Sequence, residues 1–191
     1  MNIIIITGPP YSGKGTQCEF LKESYQLTHV STGDLIRKEK EDKTEIGRLM
    51  SEYADKGELV PDEVMKSLFG KVIDENLNKT GIILDGYPRT KPQVDTLLQL
   101  AEEKSTPITH VLNIEVPTEE LLKRAKKRAE TSTRADDKNP ETHLKRINIF
   151  EESTKPAIEY LKSKVSVFDI NGLGKIEEIT GKISERLQDL N

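Results

Sequence analysis

Ile3-Ile-Ile-Ile-Thr-Gly-Pro-Pro-Tyr-Ser-Gly-Lys-Gly-Thr16 is the stretch on which the fold turns. Its four isoleucines are too few for a helix, are all β-branched and stop at Gly8-Pro9-Pro10, so they read as a strand buried on both faces. The loop that follows opens into helical spacing from Thr16 to Tyr25. In the order strand, glycine loop, helix, backbone N–H groups can wrap a phosphate while the helix N-terminus adds partial positive charge. Gly13 and Gly15 permit close approach, and Lys14 offers a point charge to outer phosphates. The strict pattern places Ser or Thr directly after the lysine. Gly15 intervenes here, so direct magnesium ligation by Thr16 is not expected.

Working outward, further short apolar runs lie at Gly81 to Asp85, Ile108 to Ile114 and Val165 to Ile170, with a weaker one at Thr28 to Val30. Segments with helical spacing separate them: Pro61 to Leu77, Pro92 to Glu103, Thr118 to Glu130 and Ile176 to Leu187. Strands alternating with helices require crossover connections, which predicts an α/β fold with a five-stranded parallel sheet and helices on both faces. Two charged stretches break the alternation and read as insertions. One runs from Gly33 to about Asn78 and carries helical patterns without a convincing strand; the other runs from Lys126 to about Lys155. In a helix starting at Thr118, the residues Leu121, Leu122, Ala125 and Ala129 fall on one face, flanked by Arg124 and Arg128. Asp85, at the carboxyl end of a core strand beside the loop, is placed to act on magnesium directly or through water.

The composition narrows the classes. The chain has 191 residues, 29 Lys and Arg against 33 Asp and Glu, and a formal net charge of −4, so no general attraction to nucleic acid is expected. One cysteine, Cys18, excludes an internal disulfide, and with three scattered histidines it offers no structural zinc site. No apolar run approaches the roughly 20 residues that span a bilayer. Met1 is followed almost at once by the strand, which leaves no room for a leader and makes the cytoplasm the expected compartment.

The loop with Lys14-Gly15-Thr16-Gln17, the segment Ser31-Thr-Gly-Asp-Leu-Ile-Arg37 and the segment Asp85-Gly-Tyr-Pro-Arg89 together resemble the adenylate kinases. Leu59-Val-Pro61, Arg134-Ala-Asp-Asp137 and Asn171-Gly172 extend the match in order over essentially the whole chain. The resemblance implies the P-loop nucleoside monophosphate kinase fold and transfer of a phosphoryl group from Mg·ATP to AMP, giving two ADP. It also implies one kinase domain over 1–191, with a mobile helical AMP-binding part at about 31–60 and a mobile short lid at about 128–138. A monomer is implied as well, with no nucleic-acid or membrane partner.

Carried over by position, Thr32 and Gln93 contact the adenine of AMP, with Gly33, Leu59, Val60 and Gly86 nearby, and Arg37 and Arg89 clamp its phosphate. A guanidinium forks onto phosphate oxygens and an amide can both donate and accept, so the residue types suit these roles. On the ATP side the resemblance implies Pro10, Tyr11, Ser12, Gly13, Lys14, Gly15, Thr16, Arg124, Arg128 and Gly174. Lys14, Arg89, Arg128, Arg134 and Arg146 surround the transferring group, with Arg134 and Arg146 also reaching AMP. Asp136 or Asp137 orients arginines, and Asp85 holds magnesium through water. Tyr11 departs from the family pattern, which usually has glycine there, so its ring must point out or pack on neighbouring protein. The spacing from Asp137 to Arg146 suggests one extra residue.

Two rivals differ in their markers. Kinases of the same architecture that act on UMP or CMP usually carry Asn where Gln93 stands. A GTPase switch needs Asn-Lys-x-Asp, and Asn78-Lys79-Thr80-Gly81 lacks the aspartate.

Overall fold

The computed structural model describes residues 1–132 and 137–188. Five strands, β1 (Asn2–Thr7), β2 (Thr28–Ser31), β3 (Gly81–Asp85), β4 (Ile108–Glu115) and β5 (Phe168–Asn171), form one sheet in the order β2-β3-β1-β4-β5. Every neighbouring pair is parallel, and Ile6 of β1 stands beside Asp85 of β3 and Leu112 of β4.

Strand periodicity sorts the isoleucine run onto two cores. Ile3 and Ile5 face α4 (Asp62–Asn76), α5 (Lys91–Glu103) and α8 (Lys155–Lys162), where Phe69, Ile73, Leu97 and Leu161 pack with Ile82 and Leu84. Ile4 and Ile6 face α1 (Lys14–Tyr25) and α9 (Ile176–Arg186), packing with Leu21, Ile83, Leu112 and Ile183. All four isoleucines are fully buried, as a central parallel strand covered on both faces requires.

The first insertion is helical, as its pattern predicts: α2 (Thr32–Glu41), α3 (Glu45–Ala54) and α4 connect β2 to β3. Side-chain oxygens of Ser31 and Thr44 accept from first-turn N–H groups and start α2 and α3. Beyond β4 lie α6 (Thr118–Thr131) and α7 (Pro140–Ile149), and α7 runs through a π-helical turn, Phe150–Thr154, into α8.

Two expectations need correction. The last strand begins at Phe168 rather than Val165, because the Val165 N–H bonds back to Leu161 O at 3.0 Å and closes the preceding helix. On α6, Leu121 and Ala125 are buried but Leu122 is exposed; one residue of helix turns it about 100° off the apolar stripe.

Candidate active site

The carboxyl ends of β1, β2 and β3 open onto a cleft of about 880 Å³, the position at which open α/β sheets hold ligands. The glycine loop forms one wall. Gly8 has φ +136°, and a Cβ there would stand 2.4 Å from Ile114 O, so only glycine lets the loop leave β1 against β4. Gly13, at φ +96°, caps α1 without a side chain, which leaves the first-turn N–H groups free to meet an anion. Lys14 Nζ donates to Gly8 O at 2.9 Å and Pro9 O at 2.7 Å, so the ammonium spans the mouth of the loop. Burial pushes its pKa down to about 8, with Asp85 pulling the other way.

Asp85 ends β3 beside this loop. Burial works against its charge, but the bonded His29 ring and the nearby Lys14 ammonium outweigh burial and hold the carboxyl below its ordinary range. His29 Nε2 lies 3.4 Å from Asp85 Oδ2 and its Nδ1 lies 2.9 Å from Glu19 Oε1. Burial disfavours the imidazolium, yet the two carboxylates prevail and raise its pKa. One ligand atom each from Cys18, His29 and Asp85 falls within 4.8 Å of the other two, a grouping hidden by their sequence separation. Burial raises the Cys18 thiol far above its ordinary value. An ionised carboxylate beside a phosphate loop suits a hard cation such as magnesium.

The opposite wall belongs to the first insertion and the start of α5. Thr32 is buried, and its hydroxyl lies within hydrogen-bond reach of Asp85 O and Gly86 O at 3.2 and 3.0 Å. Arg37 lines the cleft, paired with Asp34. Gly86 holds φ +81°, which turns the chain after β3 so that Arg89 Nε donates to Gly86 O at 2.6 Å. Burial lowers the Arg89 pKa while Asp85 opposes it. Gln93 is buried one turn on, with its amide accepting from Arg89 N–H at 2.8 Å and donating to Asp62 Oδ1 at 2.7 Å. Gly33, Leu59 and Val60 complete this side.

Arginines from α6 and α7 close the third side. Asp137 is wholly buried, accepts from Arg128 Nε at 2.8 Å and Ser132 Oγ at 2.8 Å, and pairs with Arg146 Nη1 at 3.4 Å. Of the two aspartates expected to orient arginines, Asp137 is the one seen to bond Arg128 and Arg146; Asp136 and the expected catalytic Arg134 lie outside the described residues. Lys145 of α7 reaches Glu58 at 2.6 Å, tying this wall to the first insertion.

Pro10, Tyr11, Gly13, Lys14, Gly15, Thr16, Arg128 and Arg146 therefore share one cleft with Thr32, Arg37, Arg89 and Gln93. Three expected ATP-side residues stand apart from it. Ser12 is buried beneath the loop, and Arg124 donates to Ser12 O at 3.2 Å and Gly172 O at 2.9 Å, on the side where Gly174 leads into α9. Sequence reasoning missed Asp62, His29 and His143. Asp62 passes as an ordinary first-turn helix acid, and the histidines meet their partners only through the fold.

A parallel sheet with a lysine-bearing phosphate loop, facing arginines that converge from separate helices, defines the nucleoside monophosphate kinase class of P-loop proteins. The adenylate kinase family model matches residues 6–166, and the chain belongs to that family. It is 40% identical to an adenylate kinase of Parabacteroides distasonis and 42% identical to one of Bacteroides fragilis, in each case over 98% of both chains. An adenylate kinase of Bifidobacterium longum is 40% identical over 97% of this chain and 99% of its own.

Proposed function

We propose that this cleft transfers the terminal phosphoryl group of Mg·ATP reversibly to AMP, yielding two ADP. The observation that carries the reading is the placement of a phosphate loop, four arginines and a fixed glutamine amide around one cleft. The chain is an enzyme, a nucleoside monophosphate kinase of the adenylate kinase family.

ATP phosphates sit on the backbone of Pro10 to Thr16 with Lys14 at the outer phosphates, while Arg124 and Gly174 flank the donor base. AMP sits against Thr32, Gly33, Leu59, Val60, Gly86 and Gln93, with Arg37 and Arg89 on its phosphate. An AMP phosphate oxygen attacks the terminal phosphorus of ATP in line, and the bond to the oxygen of departing ADP breaks. Lys14, Arg89, Arg128, Arg134 and Arg146 stabilise charge on the moving group, so no general base is required. Asp85 is the residue that would hold magnesium through water, and the ion would supply charge neutralisation for the donor phosphates. Residues 31–60 form the AMP-binding part and 128–138 the lid of a single kinase domain, and their closure excludes the water that would waste ATP. The enzyme works as a cytoplasmic monomer without nucleic-acid or membrane partners. Among the described residues, no helix is long and apolar enough to cross a membrane.

A nucleotide panel tests the reading. Incubated with Mg·ATP and each monophosphate in turn, the enzyme should form diphosphate fastest with AMP. Faster turnover of UMP or CMP would transfer the assignment to the pyrimidine kinases.

A further inference from the structure

The phosphate loop carries a side chain that its phosphate chemistry does not require. Tyr11 has φ +66°, left-handed backbone that disfavours an aromatic residue. Its ring does not point into solvent. The hydroxyl hydrogen-bonds His143 Nδ1 of α7, and the two rings meet edge to face with centroids 5.1 Å apart. Arg128 of α6 lies over the Tyr11 ring, its Cζ 5.8 Å from the centroid.

The Arg146 guanidinium stands close enough to the Tyr11 hydroxyl to oppose the rise in its pKa that burial causes. The hydroxyl donates to or accepts from His143 Nδ1 according to the imidazole tautomer, and in either case the contact fixes where the hydroxyl points. His143 Nε2 is buried and has no partner among the described residues, so Tyr11 is the ring's polar contact. Asp137 grips Arg128 and Arg146 from one side, and from the phosphate loop Tyr11 puts its ring against Arg128 and its hydroxyl near Arg146. Arginine loses much rotamer freedom when fixed, so a second restraint matters most for two long side chains that must meet a small group in flight.

We propose that Tyr11 is a positioning residue of the transfer reaction: rooted in the loop that carries the donor phosphates, it holds Arg128 against its ring and turns its hydroxyl, fixed by His143, toward Arg146. The assignment rests on the phosphotransfer reading above. With glycine at position 11, Asp137 alone would orient both arginines. The unfavourable backbone at Tyr11 is retained because the side chain places two groups that the loop backbone cannot reach.

Steady-state kinetics on Tyr11→Phe, His143→Leu, the double variant and His143→Gln test this. Tyr11→Phe keeps the ring and loses the hydroxyl; kcat should fall about tenfold, the rate equivalent of one well-placed hydrogen bond, with KM for ATP and AMP within about twofold of wild type. His143→Leu should fall similarly, and the double variant should fall no further than the worse single variant, because all three break one relay. His143→Gln, whose amide oxygen can accept the tyrosine proton, should retain most of kcat. Tyr11→Phe with kcat within about twofold of wild type, or losses that multiply in the double variant, would overturn the proposal. Should Tyr11→Phe fail to fold, the contrast between His143→Leu and His143→Gln decides, and equal kcat for those two overturns it. A wild-type enzyme that forms no ADP from ATP and AMP would instead sink the phosphotransfer reading.

Discussion

Gln93 Nε2 donates to Asp62 Oδ1 at 2.7 Å, and the same carboxylate oxygen accepts from Thr90 Oγ1 at 3.0 Å. At its other end the Gln93 amide oxygen accepts from Arg89 N–H at 2.8 Å. The amide is thus pinned across two elements, with its nitrogen and oxygen told apart by their partners. One N–H and one lone pair remain, the donor and acceptor pair that an adenine edge needs.

Replacing Gln93 with Asn withdraws the amide by one methylene, and it cannot keep both Asp62 and Arg89 while meeting the base. The specificity constant for AMP should fall about ten- to a hundredfold, with KM for ATP little changed, because buried polar groups lose their partners. Asp62→Asn should act in the same direction more weakly. The ratio of AMP to UMP specificity constants checks this, and an unchanged ratio in Gln93→Asn would remove that residue from base reading.

Lys14 supports a pH prediction. Its pKa in the empty enzyme lies near 8, below the ordinary 10.5, chiefly through burial. Between those values the unfolded chain binds more protons at this site, so the lysine makes stability rise with pH across that window. Phosphate anions restore the charged form, so ATP binding at about pH 9 should take up a proton, and affinity should weaken by up to about tenfold per pH unit above 8. Calorimetry in two buffers of different ionisation enthalpy measures the uptake. Lys14→Met should abolish the uptake and lower kcat by about a hundredfold or more with the fold retained; uptake that persists in this variant would assign the titration elsewhere.

Cys18, His29 and Asp85 form the one candidate metal grouping of at least three such side chains among the described residues. Asp85 is held ionised at the mouth of the phosphate loop, which favours a hard ion held through the carboxylate. Chelator-treated enzyme should regain full activity with magnesium alone, and elemental analysis of the purified protein should find no stoichiometric zinc. Bound zinc at one per chain would contradict both.

Much of this was legible in the sequence because it depends on local order. Ile3 to Ile6, Gly8 to Thr16 and Asp85 each lie in a short stretch whose type and sequence determine what the backbone does. Val165 and Val167 imitate the start of the final strand because they are apolar for another reason: they pack against the first core from a connection. Leu122 adjoins the apolar stripe in sequence but leaves it in space, because one helical residue rotates a side chain by about 100°. The roles of Asp62 and His143 were not legible. Asp62 reaches Gln93 across 31 positions and His143 reaches Tyr11 across 132, and no spacing rule connects residues so far apart.

The buried Asp137 carries the last prediction. It lies between Arg128 and Arg146, taking up both guanidiniums and the Ser132 hydroxyl. Asp137→Asn keeps the shape, removes the charge and substitutes an N–H pair for one acceptor, so one arginine or Ser132 must lose its bond. A wholly buried pair broken from one side costs about 3–5 kcal/mol. Here the Arg128 and Arg146 side chains are 41% and 23% exposed, so water replaces part of what is lost and the cost should be nearer 1–3 kcal/mol. For a chain of this size that is a melting shift of a few to about 10 °C. Turnover should suffer more than stability if Arg128 and Arg146 act on the moving phosphoryl group as proposed, because both lose their orientation together, and kcat should drop by at least about a hundredfold while KM for AMP changes little. A thermal melt beside steady-state kinetics in both directions separates the two effects. A lowered melting point with kcat preserved would show that Asp137 only staples α6 to α7, and the orienting role given to it would be withdrawn.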